Sequence, residues 1–259
     1  MLSEKQIENL IDAQNELNNK TCGLNWRNNI TDKNRKIDWL LCIQMETGEA
    51  IDSLNWKHWK DLDKPDDIKN LKMETIDLLH FIPAMLISDT GVDQAKDILK
   101  NIVKHHEEIK EEKLKDTDTL SLLIYLQSLL GAIRLFHKTD GGELLNKLLE
   151  EVAEKEGFDN LHHTLSYIAT MPSLMINILL LIIDSIEDFD LEKAYVLYMA
   201  KNALNQFRQD NGYKEGTYIK MWGDVEDNSV VQDLLAANPD IGLNELKALM
   251  TEQYDKFQH

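Results

Sequence analysis

Two pairs of acidic residues have the spacing of a metal-binding site. Glu46 and Glu49 lie three positions apart, and so do Glu74 and Asp77. If each pair lies on a helix, its two side chains project from one helix face, and two such helices can present four carboxylates to one point. Carboxylate oxygens are hard ligands that suit Mg²⁺ or Mn²⁺, ions that bridge polyphosphates and activate water. The spacing is therefore compatible with a divalent-metal site that acts on phosphates, and the flanking residues decide whether it is favoured.

The residues around these acids strengthen that interpretation. Acids three positions apart also arise by chance, because the chain contains 46 Asp and Glu among 259 residues. Apolar residues such as Ile43, Met45 and Ile76 flank the acids, however, and carboxylates without cations would be costly in such surroundings. The segment Trp56-Lys57-His58-Trp59-Lys60 follows, with more donors and rings than a solvated helix end requires. Aromatic packing under extended lysine side chains is the alternative explanation of that segment.

A second polar cluster lies in residues 201–222. Its four basic residues outnumber its two acidic ones, a local charge of +2 in a chain of net charge −18. The basic residues are Lys201, Arg208, Lys214 and Lys220. Asn202, Asn205 and Arg208 lie three apart, so one helix face would carry two amides, which can read base edges, and a guanidinium, which can bind phosphate. The alternative is a helix C-terminus whose basic residues complement the helix dipole.

Amides also interrupt the apolar stripe of the first predicted helix, residues 4–18. Gln14 and Asn18 share that stripe with Ile7, Leu10 and Ile11. Polar side chains are uncommon at core positions, so the two amides are unusual in this stripe. The segment that follows contains Gly and several Asn without a period, which predicts a loop whose Trp26 is exposed unless another element covers it.

The rest of the chain predicts an all-α protein. Only 11 Gly and 4 Pro occur among 259 residues, and helix-forming residues abound. Asp38 is a plausible N-cap for a helix to about Lys60, and Pro83 is expected to kink or end the next helix, at a cost of about 3 kcal/mol. About seven or eight helices are expected. The others are predicted at residues 91–119 (with a connector), 120–137, 141–156, 160–184 and 190–209, with one or two short surface helices after 228.

Composition argues against several classes of protein. An acidic chain repels the phosphate backbone of nucleic acids, so a DNA or RNA partner is not expected. Cys22 and Cys42 have no zinc or disulfide pattern, and the N-terminus lacks the features of a signal peptide, which together favour the cytoplasm. The longest apolar stretch, residues 171–183, is shorter than the roughly 20 residues of a spanning helix. No membrane association is therefore expected.

Taken together, these segments resemble the dimeric dUTPases, an all-α family related to the MazG-like pyrophosphohydrolases. The ExxE and ExxD motifs are shared with the wider superfamily, so the other segments carry most of the specificity. The resemblance covers about residues 7–82 and 198–228. The matching segments are Gln14 to Asn18, GLNW at 23–26, ExxE at 46–49, WKHWK at 56–60, ExxD at 74–77 followed by His80-Phe81, and NxFRQxxGYKxGxYxKxW at 205–222.

The resemblance implies a homodimer that hydrolyses dUTP, and also dUDP, to dUMP with two or three Mg²⁺ per site, or with Mn²⁺. It implies one all-α domain over residues 1–259, with a metal-site core at about 1–86, a variable helical segment at about 87–197 and a phosphate- and base-binding segment at about 198–228. The implied metal ligands are Glu46, Glu49, Glu74 and Asp77. Glu49 and Glu46 are the implied catalytic residues, with Glu49 positioning the attacking water.

The resemblance also implies a set of substrate-binding residues. The uracil would contact Gln14, Asn18 and Asn205, with Trp26 nearby. His80 and Phe81 would pack on the deoxyribose, where crowding excludes a ribose 2′-hydroxyl. Part of the site is expected to come from the partner subunit. The phosphates would be held by Lys57, Lys201, Arg208, Lys214 and Lys220, and Trp59 and Tyr213 complete the set.

Three alternatives remain open from the sequence. A MazG-like pyrophosphatase acting on another nucleotide would use the same carboxylates with different base contacts. A ferritin-like di-iron protein is suggested by Asp77-x-x-His80 and Asp159-x-x-His162, although such sites usually have two ExxH motifs and the chain has none. A helical binding module could use the acidic surface to recruit a basic partner without catalysis.

Overall fold

The computed structural model describes residues 1–61, 63–113, 117–136, 171–238 and 241–257, and these residues are mainly helical. The helices are α1 (Glu4–Cys22), α2 (Trp39–Asp52), α3 (Ile68–Thr90), α4 (Val92–Lys113), α5 (Thr119–Phe136), α6 (Met171–Ser185), α7 (Leu191–Asp210), α8 (Asp227–Ala237) and α9 (Leu243–Asp255). A 3-10 turn covers Trp26–Asn28, and β1 (Met221–Trp222) pairs antiparallel with β2 (Val225–Glu226). The all-α prediction is confirmed. The helix predicted at 141–156, the first part of that at 160–184, and Asp159 and His162 lie outside the described residues.

The chain divides into two compact units. Unit 1 contains Met1–Ile37, Leu86–Asp97 and Phe189–His259, and unit 2 contains Asp38–Met85 and Ile98–Asp188. The domain boundaries expected from the resemblance stay a prediction. Within the part of the chain that the structure describes, no helix has the length and apolarity needed to cross a membrane.

In unit 1, α7 packs against α1, α8 and α9. Helix α1 begins at a capping box, in which Ser3 and Gln6 satisfy each other's backbone N–H groups. The face of α7 toward α8 and α9 contributes to an apolar core that includes Leu204, Trp222 and Tyr254. Trp222 belongs to β1, so the short hairpin of β1 and β2 contributes to this core. The sequence analysis did not predict the hairpin. Two-residue strands are too short to show an alternating pattern.

In unit 2, α5 packs against both α2 and α6. The predicted N-cap of α2 is confirmed, because the Asp38 carboxylate accepts a hydrogen bond from the Leu41 backbone N–H at 2.9 Å. The same carboxylate binds the Arg134 guanidinium of α5 through two hydrogen bonds of 2.9 and 3.1 Å. Asp38 therefore joins the start of α2 to α5.

The expected extension of α2 to about Lys60 is wrong, because α2 ends at Asp52. The backbone beyond the helix bonds to residues near the start of α3 instead. The Asn55 N–H donates to the Asp66 carboxylate at 2.6 Å, and the Asp67 N–H donates to the Ser53 carbonyl at 2.8 Å. These bonds to a segment distant in sequence replace those that would have continued the helix.

Pro83 was expected to kink or end its helix, and it does not end it, because α3 continues through Pro83 to Thr90. Apolar residues around Pro83 are buried, including Ile82, Leu86 and Ile87 at 0–1% exposure. Burial of one such side chain contributes about 1.5–3 kcal/mol, so a few of them offset the roughly 3 kcal/mol cost of an internal proline.

Candidate active site

Three of the four predicted metal ligands meet in unit 2. Glu46 lies on α2, and Glu74 and Asp77 lie on one face of α3. One carboxylate oxygen from each residue lies within 4.8 Å of those of the other two. Most of the apolar neighbours expected from the sequence are fully buried, namely Ile43, Ala50, Ile76 and Leu78, whereas Met45 is 54% exposed.

The pKa of the Glu46 carboxyl group reflects the electrostatics of this cluster. Partial burial and the negative charges of Asp77, Glu74 and Glu49 raise the pKa of Glu46 to about 8. Desolvation of the Glu46 carboxylate is the largest cause of this raised pKa, and repulsion among the anions adds to it; a bound divalent cation would oppose both effects. Several carboxylate oxygens lie close together here, and their negative charge exceeds the positive charge around them. Oxygen ligands of this kind are those that Mg²⁺ or Mn²⁺ requires. The residues present therefore fit the metal that the sequence predicted.

Glu49 is the fourth predicted ligand, and its carboxylate is not part of this close group. Its side chain is exposed, and its charge contributes to the raised pKa of Glu46. No histidine belongs to the group among the described residues, although His80 follows Asp77 by three positions. The described residues of unit 2 thus give the di-iron alternative no support.

Replacing Glu46 with Gln is expected to stabilise the metal-free protein at high pH and to change little at low pH. The folded-state pKa of about 8 lies above the ordinary value of 4.5, so wild-type stability decreases as the pH rises through this interval. A neutral Gln does not titrate and avoids that loss. Urea unfolding in EDTA at about pH 5 and about pH 9 measures the difference.

The exposed Glu107 on α4 provides the control, since Glu107→Gln should affect stability equally at both pH values. A Glu46→Gln variant whose stability relative to wild type is the same at both pH values would contradict a raised pKa of Glu46 in the folded protein.

A cleft of about 410 Å³ lies between the C-terminal end of α2 and the start of α3. Lys57 lines it, binds the Asp52 carboxylate and lies 5.4 Å from the centre of the Trp56 ring. Trp59 packs edge-on against Trp56 and is 61% exposed. The charged residues lining the cleft are Lys57, Lys60, Lys64, Asp52, Asp61 and Asp67. Lys60 and Lys64 were not predicted as site residues, because the sequence did not show that the α2–α3 connection folds around a cleft.

His80 and Phe81 lie on α3 after the two acids. His80 is 3% exposed, and the Phe81 ring lies 6.3 Å from that of Trp39 on α2. Because α3 continues beyond Pro83, Phe81 lies within an uninterrupted helix. Their proposed contact with the sugar stays a prediction.

In unit 1, Gln14 and Asn18 are buried on α1 as predicted from the apolar stripe. The Gln14 Nε2 donates to Asn18 Oδ1 at 3.0 Å, and the Tyr198 hydroxyl of α7 donates to Gln14 Oε1 at 2.9 Å. Burial raises the pKa of Tyr198 above its ordinary value, so this hydroxyl remains a donor. Asn18 Nδ2 is buried and has no acceptor among the described residues.

Arg208 on α7 forms a buried ion pair with Asp227 at the start of α8. Its Nε and Nη2 donate to the two carboxylate oxygens of Asp227 at 2.8 and 2.6 Å. The Arg208 side chain is 8% exposed and that of Asp227 is 0% exposed. Arg208 also donates from Nη1 to Asn205 Oδ1 at 3.0 Å. Asp227 was missed by the sequence analysis because it lies outside the polar segment and far along the chain from its partner.

The lysines of this segment are also bound by neighbouring groups of unit 1. Lys201 is 3% exposed and donates to Asn228 Oδ1 at 3.0 Å, while Lys214 donates to the Lys20 carbonyl at 3.0 Å. Lys220 lies 3.5 Å from the Glu226 carboxylate. The local excess of positive charge in residues 201–222 is partly offset in the structure, because Asp227 and Glu226, from outside the segment, contact Arg208 and Lys220. Tyr213 remains 44% exposed.

Trp26 is fully buried within unit 1, so another element does cover it. Its indole N–H donates to Asn19 Oδ1 of α1 at 3.0 Å. This bond satisfies the polar end of a ring that is otherwise removed from water. A role for Trp26 next to the uracil stays a prediction.

Comparison with known proteins places the chain in a family. A family model described as dUTPase matches residues 6–213, well over half of the chain. No curated protein sequence matches the chain. The matched range contains every predicted site residue except Lys214 and Lys220, and the resemblance found in the sequence is confirmed. The chain belongs to the dimeric, all-α dUTPase family, a family of dUTP diphosphatase hydrolases.

Proposed function

We propose that this protein is a magnesium-dependent dUTP diphosphatase that converts dUTP to dUMP and pyrophosphate, and dUDP to dUMP and phosphate. The observation that carries the proposal is the group of three carboxylates within 4.8 Å, in a chain that a dUTPase family model matches. Enzymes of this family generally use a divalent metal, and this cluster offers its ligands. A cytoplasmic location, favoured by two free cysteines, completes the proposal.

Glu46, Glu74 and Asp77 hold two or three ions, with Glu49 as the fourth ligand. When bound, Mg²⁺ or Mn²⁺ neutralises phosphate charge and lowers the pKa of water. Glu49, the most exposed of the four acids, orients the attacking water and accepts its proton, while Glu46 holds its place in the cluster. Attack at the β-phosphorus releases dUMP from both dUTP and dUDP. No covalent enzyme intermediate is required.

The base and sugar are bound by amides and rings. Gln14, Asn18 and Asn205 contact the uracil, and the buried Asn18 Nδ2, which has no acceptor among the described residues, supports this role. His80 and Phe81 pack on the deoxyribose and exclude a 2′-hydroxyl. Trp26 lies near the uracil, and Trp59 and Tyr213 complete the set of substrate-binding residues.

The phosphates are bound by cations. Lys57 lies in the cleft of unit 2 together with Lys60 and Lys64, so up to three ammonium groups are available there. Lys201, Arg208, Lys214 and Lys220 are the corresponding candidates in unit 1. Several of these cations bind carboxylates in the structure, so phosphate binding requires an exchange of partners for those cations.

Pyrophosphate release from dUTP, UTP, dCTP and dTTP, with Mg²⁺ and with EDTA, tests the function. We expect turnover of dUTP that requires Mg²⁺ and little turnover of UTP or dCTP. Equal rates with all four nucleotides would favour a MazG-like pyrophosphatase of broader specificity. No turnover of any nucleotide, or two stoichiometric irons in the isolated protein, would contradict the proposal.

We also propose that the protein is a homodimer that associates through uncharged surface on unit 2. Helix α5 packs against α2 and α6, and residues 119–133 of α5 contain no charged side chain. All three helices expose apolar residues. These are Leu41 and Met45 on α2, Ile124 and Tyr125 on α5, and Leu174 on α6. Because the chain has a net charge of −18, a second copy approaches best through a surface without charge.

Replacing Tyr125 with Glu is expected to shift the protein from dimer to monomer, because a buried unpaired carboxylate opposes association. Sedimentation velocity at micromolar concentration measures the shift. Val196→Glu, at a residue of α7 that is 47% exposed, should leave the dimer intact. A monomeric wild type, or an unchanged dimer of the Tyr125→Glu variant, would contradict this surface.

A further inference from the structure

The Asn205 amide is held in one orientation by Arg208. Its Oδ1 accepts a hydrogen bond from Arg208 Nη1 at 3.0 Å. A guanidinium has only donors, so the oxygen of the amide, and not its nitrogen, must face Arg208. The Asn205 Nδ2 donates to none of the described residues and is left as a hydrogen-bond donor.

Arg208 is in turn held by a carboxylate whose own hydrogen bonds are extensive. Asp227 accepts from Arg208 Nε and Nη2, from the Tyr218 hydroxyl at 2.7 Å and from the backbone N–H of Asn228 at 2.8 Å. Arg208 Nη2 also donates to Asn228 Oδ1 at 3.1 Å. Because this network is buried, rotating the guanidinium away from Asn205 would break several charge-assisted bonds.

Asn18 on α1 has the same arrangement as Asn205 on α7, two helices that pack together in unit 1. Its Oδ1 accepts from Gln14, and its Nδ2 is buried without an acceptor among the residues that the structure describes. Each asparagine therefore has its oxygen bound within the protein and its nitrogen available as a donor. Two such donors complement a base that offers carbonyl oxygens.

We infer that Arg208 and Asp227 are positioning residues that fix Asn205 as a donor, and that this orientation discriminates uracil from cytosine. The inference rests on the proposed contact between Asn205 and the base. Uracil has a carbonyl oxygen where cytosine has an amino group. A fixed N–H donor therefore forms a hydrogen bond with uracil, whereas with cytosine it faces the amino group, which is itself a donor. Asp227 lies beyond residues 6–213, the range that the family model matches.

Binding of deoxyuridine and deoxycytidine in the absence of metal tests the inference, because neither nucleoside carries a phosphate. NMR titration of the full-length chain measures the ratio of the two Kd values. Arg208→Lys should lower the preference for deoxyuridine by about tenfold, since an ammonium cannot hold both Asp227 and Asn205 in the planar geometry of a guanidinium. Asn205→Asp should reverse the preference, because it keeps an acceptor for Arg208 and offers an acceptor to the amino group of cytosine.

Arg27→Lys is the matched control, since Arg27 also donates to an asparagine oxygen, that of Asn15 at 3.0 Å, on the surface of unit 1. It should leave the ratio unchanged. Thermal unfolding of each variant shows whether it is folded. If Arg208→Lys does not fold, Asn205→Asp still tests the inference, because it leaves the buried pair of Arg208 and Asp227 intact.

The outcomes separate the two proposals. A wild type that prefers deoxyuridine, with variants that keep the wild-type ratio, overturns the positioning role while the proposed function stands. The positioning role is also overturned if Arg208→Lys weakens dUTP and dUDP hydrolysis but not the nucleoside ratio, which would make Arg208 a phosphate ligand only. A wild type that hydrolyses dUTP and dCTP equally and shows no nucleoside preference overturns both the uracil assignment and the positioning role.

Discussion

Replacing Glu74 with Gln is expected to lower kcat/KM for dUTP by about 10²–10³-fold. Glu74 is the most buried of the three clustered acids, at 9% exposure, and its oxygen lies within 4.8 Å of those of Glu46 and Asp77. Gln keeps the shape of the side chain but removes a negative charge, so divalent ions bind less tightly. Pyrophosphate release measured against Mg²⁺ concentration should show both a lower maximum and a higher midpoint.

Two further substitutions make the result specific. Glu107→Gln, at an exposed position of α4 in the same unit, should retain wild-type turnover. Glu49→Gln should lower kcat while changing the Mg²⁺ midpoint less than Glu74→Gln does, because Glu49 lies outside the close group and is proposed to orient water. A Glu74→Gln variant with wild-type kcat and Mg²⁺ dependence would show that the cluster is not the metal site.

Replacing Asp227 with Ala is expected to lower the free energy of unfolding by about 3–5 kcal/mol. The substitution leaves the Arg208 guanidinium buried without its carboxylate and removes the acceptor of the Tyr218 hydroxyl. Burial and the neighbouring Asp227 raise the pKa of Tyr218 above its ordinary value, so this hydroxyl stays a donor and needs an acceptor. Urea unfolding followed by circular dichroism measures the loss.

An exposed ion pair in the same unit provides the control. Glu252 and Lys256 of the C-terminal region are separated by 3.1 Å and are both more than half exposed, so Glu252→Ala should cost less than about 1 kcal/mol. The double variant Arg208→Ala/Asp227→Ala should lose less stability than the two single variants combined, because no buried charge remains. Equal losses for Asp227→Ala and Glu252→Ala would contradict the account of the buried pair.

The all-α class, the family and the start of α2 can all be predicted from the amino-acid sequence. Helix formation depends on the local period of apolar residues and on capping, and both can be read along the chain. The two pairs of acids were recognisable for the same reason, because a spacing of three places side chains on one helix face. The amides of α1 were conspicuous because Gln14 and Asn18 occupy core positions of an amphipathic helix.

Which side chains come into contact depends on the tertiary structure. Helix α2 ends at Asp52 because its continuation bonds to residues 66 and 67, and α3 passes Pro83 because the residues around that proline are buried. Glu46, Glu74 and Asp77 come together without Glu49, and Asp227 neutralises Arg208 from 19 positions further along the chain. A local sequence pattern predicts that a helix forms, but it does not predict which residues that helix contacts, because burial and charge pairing depend on segments distant in sequence.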